Sequence, residues 1–170
     1  SGVWVEVAKI TSSDIAAGDL FGNACALNAD GSTAVIGAFA KDAAVGSAGA
    51  VYVFSNATGS WLQASKLLPD EVATRTDQGS RFGISVDITP DASTIVAGAR
   101  YASGGGAAYI FDNISGWAQT GKVAPVNGGP QWEMGNSVGI SDDGNTVIAG
   151  DHAYGVGYPD NNTGAAYIFS

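Results

Sequence analysis

The chain has 170 residues, enough for about one domain, and 45% of them are hydrophobic against 14% charged, which excludes a disordered polymer. The formal net charge is −9 and the pI about 4.1, with no basic patch, so a nucleic-acid backbone would be repelled. No apolar run approaches the roughly 18 residues that span a bilayer, and the single cysteine, Cys25, excludes an internal disulfide and a cysteine-built metal cluster.

The acidic coat is read as a solubility device. The chain opens at Ser1 with no apolar signal segment, as a mature secreted product, a processed piece or an excised fragment does. Short runs of Val, Ile, Tyr, Phe and Thr, punctuated by 25 glycines, predict an all-β domain.

Repetition organises these runs. Trp4, Trp61 and Trp117 lie 57 and then 56 residues apart, and Phe54, Phe111 and Phe169 lie 57 and 58 apart. The chain is therefore one domain, 1–170, of three units, 4–60, 61–116 and 117–170. Each unit predicts four strands. The first spans Trp4 to Ile10, Trp61 to Leu67 and Trp117 to Val123, with Lys9, Lys66 and Lys122 in register. Those lysines are read as the charge that protects an exposed sheet edge. A second strand begins at Phe21-Gly22, Phe82-Gly83 and Met134-Gly135. Along it Phe82, Ile84, Val86 and Ile88 alternate with Gly83, Ser85 and Asp87, giving a large and a small face. Cys25 aligns with Val86 and Val138 and is expected to be a small buried hydrophobe.

A turn follows at Asp30-Gly31-Ser32, Asp91-Ala92-Ser93 and Asp143-Gly144-Asn145. The third strand is Thr33 to Ala38, Thr94 to Ala99 and Thr146 to Asp151. The fourth is Gly49-Ala50-Val51-Tyr52-Val53-Phe54, Gly106-Ala107-Ala108-Tyr109-Ile110-Phe111 and Gly164-Ala165-Ala166-Tyr167-Ile168-Phe169.

In this order the motifs resemble the FG-GAP repeat: Trp61, Lys66-Leu67, Phe82-Gly83-Ile84-Ser85-Val86, Val96-Ala97-Gly98-Ala99, Gly106, Tyr109 and Phe111. The resemblance implies a β-propeller of three four-stranded blades, with the Phe-Gly strand nearest the axis and the Trp strand outermost. It also implies an extracellular or cell-surface protein serving adhesion or recognition. Some members of that family bind calcium through an aspartate-rich loop. The turns here offer one or two carboxylates each, whereas calcium takes six to eight oxygens. No metal and no cofactor is expected, and each aspartate is read as closing its own turn.

Propellers close with about four to eight blades, so three are too few for an ordinary ring. The first strand is an outermost one and the last a third-position one. Residues 4–10 are therefore expected to pair with 165–169 of another chain, making a ring or filament. The expected partners are other copies or related FG-GAP chains.

A second reading is recognition of a glycan or a surface protein by variable loops, with Arg100, Tyr101, Asp151, His152, Tyr154 and Tyr158 as candidate contacts. The third unit differs from the others here, with Gly150-Asp151-His152 and an added Trp132. Sequons place candidate glycans on Asn56, Asn113 and Asn161. One histidine and no nucleophile elbow leave no catalytic constellation, so no enzyme is expected.

Overall fold

A computed structural model describes residues 2–41, 48–70, 79–102, 104–129, 132–155 and 163–170. Within them the chain is all-β and forms three antiparallel sheets. The first contains β1 (Cys25–Leu27), β2 (Thr33–Ala38), β3 (Ala50–Ser55) and β4 (Leu62–Leu67), in that order. The second repeats it with β5 (Phe82–Ile88), β6 (Thr94–Ala99), β7 (Ala107–Asn113) and β8 (Trp117–Val123). The third holds only β9 (Ser137–Ile140), β10 (Val147–Asp151) and β11 (Ala165–Phe169).

Each sheet is one blade, and in the first two the outer strand comes from the sequence unit that follows. The Trp61 stretch thus completes the first blade and the Trp117 stretch the second. Residues 4–10 have the same pattern but form no strand. Trp4 is 99% exposed, and Val3, Val5 and Val7 are exposed as well. Among the described residues the third blade is accordingly three-stranded, as the order of strands predicts. The reason is physical: a strand without a neighbouring edge has no partner for its backbone groups.

Local chemistry explains the hairpins. At each β-turn the aspartate carboxylate accepts a backbone N–H two residues on. Asp30 takes Ser32 N at 2.8 Å, Asp91 takes Ser93 N at 3.0 Å, and Asp143 takes Asn145 N at 3.0 Å. Hydroxyl and backbone donors, led by the Ser32, Ser93 and Ser141 side chains respectively, hold all three carboxyls below the usual carboxylate range. The outer strands β4 and β8 each slip register once, beside Val53/Phe54 and Ile110/Phe111, which marks a bulge in the same place.

The blades stack face to face. Val35, Val51 and Val53 of the first pack with Phe82, Ile95, Tyr109 and Phe111 of the second. Val96 and Ala108 of the second pack with Met134, Val147 and Ala149 of the third. At 1.5–3 kcal/mol for each fully buried large side chain, roughly, these two interfaces are the main hydrophobic term. Cys25 departs from expectation: it is exposed, whereas Val86 and Val138 are partly buried. Its strand is the leading edge of the first blade, and among the described residues no blade lies in front of it.

Candidate functional site

Two regions carry features beyond a generic core. One is a cluster of loop side chains at the junction of the second and third blades. The other is the pair of unfinished surfaces at the two ends of the stack.

The loop cluster assembles most of the residues singled out from sequence. Arg100 follows β6 and reaches forward to the third blade. Its Nη1 lies 3.3 Å from Glu133 Oε2 and donates to Asn136 Oδ1 at 3.3 Å. His152 Nε2 stands 3.6 Å from the same Glu133 oxygen, and its side chain is 58% exposed. The Arg100 guanidinium also stacks on Tyr101, 4.8 Å from the ring centre, with Arg81 at 4.7 Å. Tyr154 lies with its ring centre 4.8 Å from that of Trp132 and 6.5 Å from Tyr167.

Asp151 plays a different part. It is buried, and its Oδ1 accepts Glu133 N at 2.9 Å and Ala153 N at 3.0 Å. It fastens the two loops that present Glu133 and His152. The hydroxyl of Tyr167 is buried without a hydrogen-bond partner. Burial, the Asp151 charge and Tyr154 together push its pKa up.

Sequence reasoning missed Glu133. Its only signal is a charge reversal between units, since Arg81 holds the same place before Phe82. Tyr158 and Asn161 lie outside the described residues. Of the other sequons, Asn113 is exposed at the β7–β8 turn, while Asn56 is half-buried.

The aligned lysines have a more specific role than edge protection. Lys66 pairs with Tyr52 across β3–β4, and Lys122 with Tyr109 across β7–β8. Each ammonium sits over its tyrosine ring, at 5.5 and 5.4 Å. Lys66 also forms an ion pair with Asp14, which accepts from Tyr52 Oη at 2.9 Å. The Lys66 contact leads the causes that hold the Asp14 carboxyl far below its ordinary range. Tyr52 in turn is pushed well up, first by burial and then by Asp14. The corresponding tyrosine of the third blade is Tyr167, and Lys9, the first unit's match to Lys66 and Lys122, is exposed.

A family model described as FG-GAP repeat matches residues 4–54 and 61–111. The third unit, with Met134 in place of Phe21 and Phe82, lies outside those ranges. No curated protein matches the sequence significantly. Among solved structures, the periplasmic gluconolactonase PpgL of Pseudomonas aeruginosa is 14% identical, with a TM-score of 0.51 over 77% of this chain and 36% of that one. Sqt1 of Saccharomyces cerevisiae is 12% identical, with a TM-score of 0.50 over 88% of this chain and 35% of the other. The chain thus spans about a third of the length of these structures, and the likeness is one of fold.

Proposed function

The chain belongs to the FG-GAP repeat family, and from that premise we propose that it is an extracellular structural or adhesive β-propeller module joined to further copies by exchange of an outer strand. One observation supports this reading: among the described residues the third blade has three strands, and residues 4–10 carry the pattern of an outer strand but form none, with Ile10 alone packed on the first blade's core.

The register follows from the two complete blades. Lys9 of one copy pairs with Tyr167 of the next, as Lys66 does with Tyr52 and Lys122 with Tyr109. Glu6 then falls opposite Phe169, in the place of Gln63 opposite Phe54. The ammonium of Lys9 covers the Tyr167 ring, and the free edge of β11 acquires a neighbour. Two such joints make a six-bladed ring of two chains, a number within the ordinary range of closed propellers, and an unclosed series makes a fibre. The family pattern supports placement outside the cell, and no described helix is long and apolar enough to cross a membrane.

Replacing Val5 and Glu6 together by proline tests the joint. Whichever of the two faces the edge, an inward N–H is lost. Both residues are exposed in the single chain, so its melting temperature should not move. Sedimentation should show the assembled species of the parent replaced by monomer. A parent chain that is monomeric at every concentration, or a variant that assembles like it, overturns the proposal.

The loop cluster supports a second reading, recognition of a glycan or protein by exposed His152 with Tyr154 and Tyr101. Glycan-array binding lost in His152→Ala and Tyr154→Ala, with assembly intact, favours it.

A further inference from the structure

We infer that Arg81, Tyr101 and Arg100 form a site for the acidic groups, carboxylate or sulfate, of an anionic glycan. This inference rests on the recognition reading of the loop cluster; it names the chemistry of the ligand and adds Arg81 to the residues that meet it.

The site stands at the foot of the β5–β6 hairpin, opposite its turn. Arg81 precedes β5 and Arg100 follows β6, and the pairing of Phe82 with Ala99 brings the two ends together. Tyr101 joins them, its ring centre 4.7 Å from the Arg81 guanidinium and 4.8 Å from that of Arg100. Phe39 of the first blade lies 5.6 Å from the Arg81 guanidinium, and Glu133 and Asn136 of the third reach Arg100. Rings and cations thus alternate in a row that crosses three blades, and its middle has a blade on either side.

The glycine joints between blades hold this row in place. Gly37 and Gly49 leave room for the backbone of Phe82-Gly83, since a Cβ on either would lie 2.0 Å from a carbonyl oxygen of that pair. Gly98 and Gly106 receive Met134-Gly135 in the same way, with Cβ positions 1.9 and 2.1 Å from its carbonyl oxygens. Arg81 and Glu133 immediately precede these two seated pairs. Arg81 is held at φ +53°, as Leu20 is at +58° in the first unit, so this backbone geometry belongs to the joint. A cation anchored this way loses little freedom when an anion arrives.

The fold does not call for arginine at either position. Leu20 and Glu133 hold the place of Arg81, and Phe39 and His152 hold that of Arg100. Nor does the chain neutralise the pair. Among the described residues Arg81 has no carboxylate partner. Arg100 has Glu133, with Nη1 3.3 Å from Oε2, yet that oxygen makes no hydrogen bond and Arg100 Nε is buried without an acceptor. A buried N–H left unpaired is costly, and two guanidiniums facing one carboxylate leave positive charge over. In a chain of net charge −9 this is a local reversal of sign. At physiological ionic strength the Debye length is about 8 Å, so an anion at the row feels these guanidiniums ahead of more distant carboxylates.

A planar guanidinium offers paired N–H donors that match two oxygens of a carboxylate and, by the same geometry, of a sulfate. The alternation of ring and cation favours an acidic sugar over an acidic peptide. The rings offer apolar surface to the C–H faces of sugar rings, and the guanidiniums meet the acid groups those sugars carry.

Titration with defined polymers tests the site. The probes are polygalacturonate, dextran sulfate, neutral dextran and polyglutamate. The parent chain should bind the two acidic glycans and not dextran, and added salt should weaken the binding. Arg81→Gln should lower the affinity roughly tenfold, through loss of a charged hydrogen-bond pair. Arg81→Lys should recover part of it, since the charge is kept and the fork is lost. The control is Lys9→Gln, which removes the same charge from an exposed residue and should change the affinity less than about twofold. All three variants should melt with the parent. Polyglutamate bound as tightly as polygalacturonate overturns the glycan assignment. A parent that binds neutral dextran as well as the acidic polymers, or an Arg81→Gln variant that binds like the parent, overturns the anion site and leaves recognition by the loop cluster standing. A parent that binds no glycan, acidic or neutral, overturns both.

Discussion

The second and third blades are written with nearly the same residues and live in different surroundings. Val96 is fully buried and its counterpart Ile148 is 46% exposed; Tyr109 is buried and Tyr167 half-buried; Phe111 is buried and Phe169 half-buried. Nothing in the strands accounts for this. The second blade has neighbours on both faces and a complete outer edge, and the third has one neighbour and an open edge. An apolar residue in a repeat therefore reports the interface that the repeat is built for, and burial follows only where the next repeat is in place.

The largest test of that contrast is aromatic. Phe82→Ala removes a ring wholly enclosed between two blades and should cost about 4 kcal/mol in urea unfolding. Phe21→Ala removes the same ring from a half-open site and should cost about half as much in the isolated chain. Equal losses would mean that the first blade gains its stability elsewhere.

Glycine gives the next effect. Gly98→Val drives a Cβ into the Gly135 carbonyl, an overpacking worth about 3 kcal/mol. Gly150→Val meets only the Ser137 hydroxyl, a clash that Gly98 shares with Ser85, and should cost less than about 1 kcal/mol. The pair of melting curves isolates the backbone approach of the following blade.

Asp151→Ala strips two buried N–H groups of their acceptor and should cost about 2 kcal/mol. Asp151→Asn keeps the accepting oxygen and should cost less. If the two variants melt alike, the carboxylate charge rather than its hydrogen bonds holds the loops.

The smallest effect is acid. The folded Asp14 carboxyl is depressed below its unfolded value near 3.8. Its contribution is therefore complete above that value and is lost as the pH falls below it. Solvent screens the exposed pair, so the loss should be slight and confined to residues 10–21 against the first blade. Trp61 fluorescence, which reports that packing, should show the acid step in the parent and not in Asp14→Asn.

The internal strands were legible because each is written three times with its turn aspartate, and three copies agree on register where one would not. The outer strands were legible as segments, and the order of strands, outermost first and third-position last, already placed each one on the blade of the unit before it. Cys25 misled: alignment with Val86 and Val138 reports a position in the repeat, and exposure depends on whether a blade precedes it. Glu133 was hidden because its partners Arg100 and His152 come from loops on two different blades. The lysine–tyrosine pairs were half visible, as aligned residues whose meeting across a sheet required the bulged register.

The glycine joints have a wider consequence. A contact made from carbonyl oxygens and vacant Cβ positions holds almost no information about identity, so one blade can stand in for another. Side chains outside the packed faces of the blades are then free to diverge without spoiling the fit. Parts made to such a gauge are interchangeable, and a blade grafted from one repeat position to another should keep its seat.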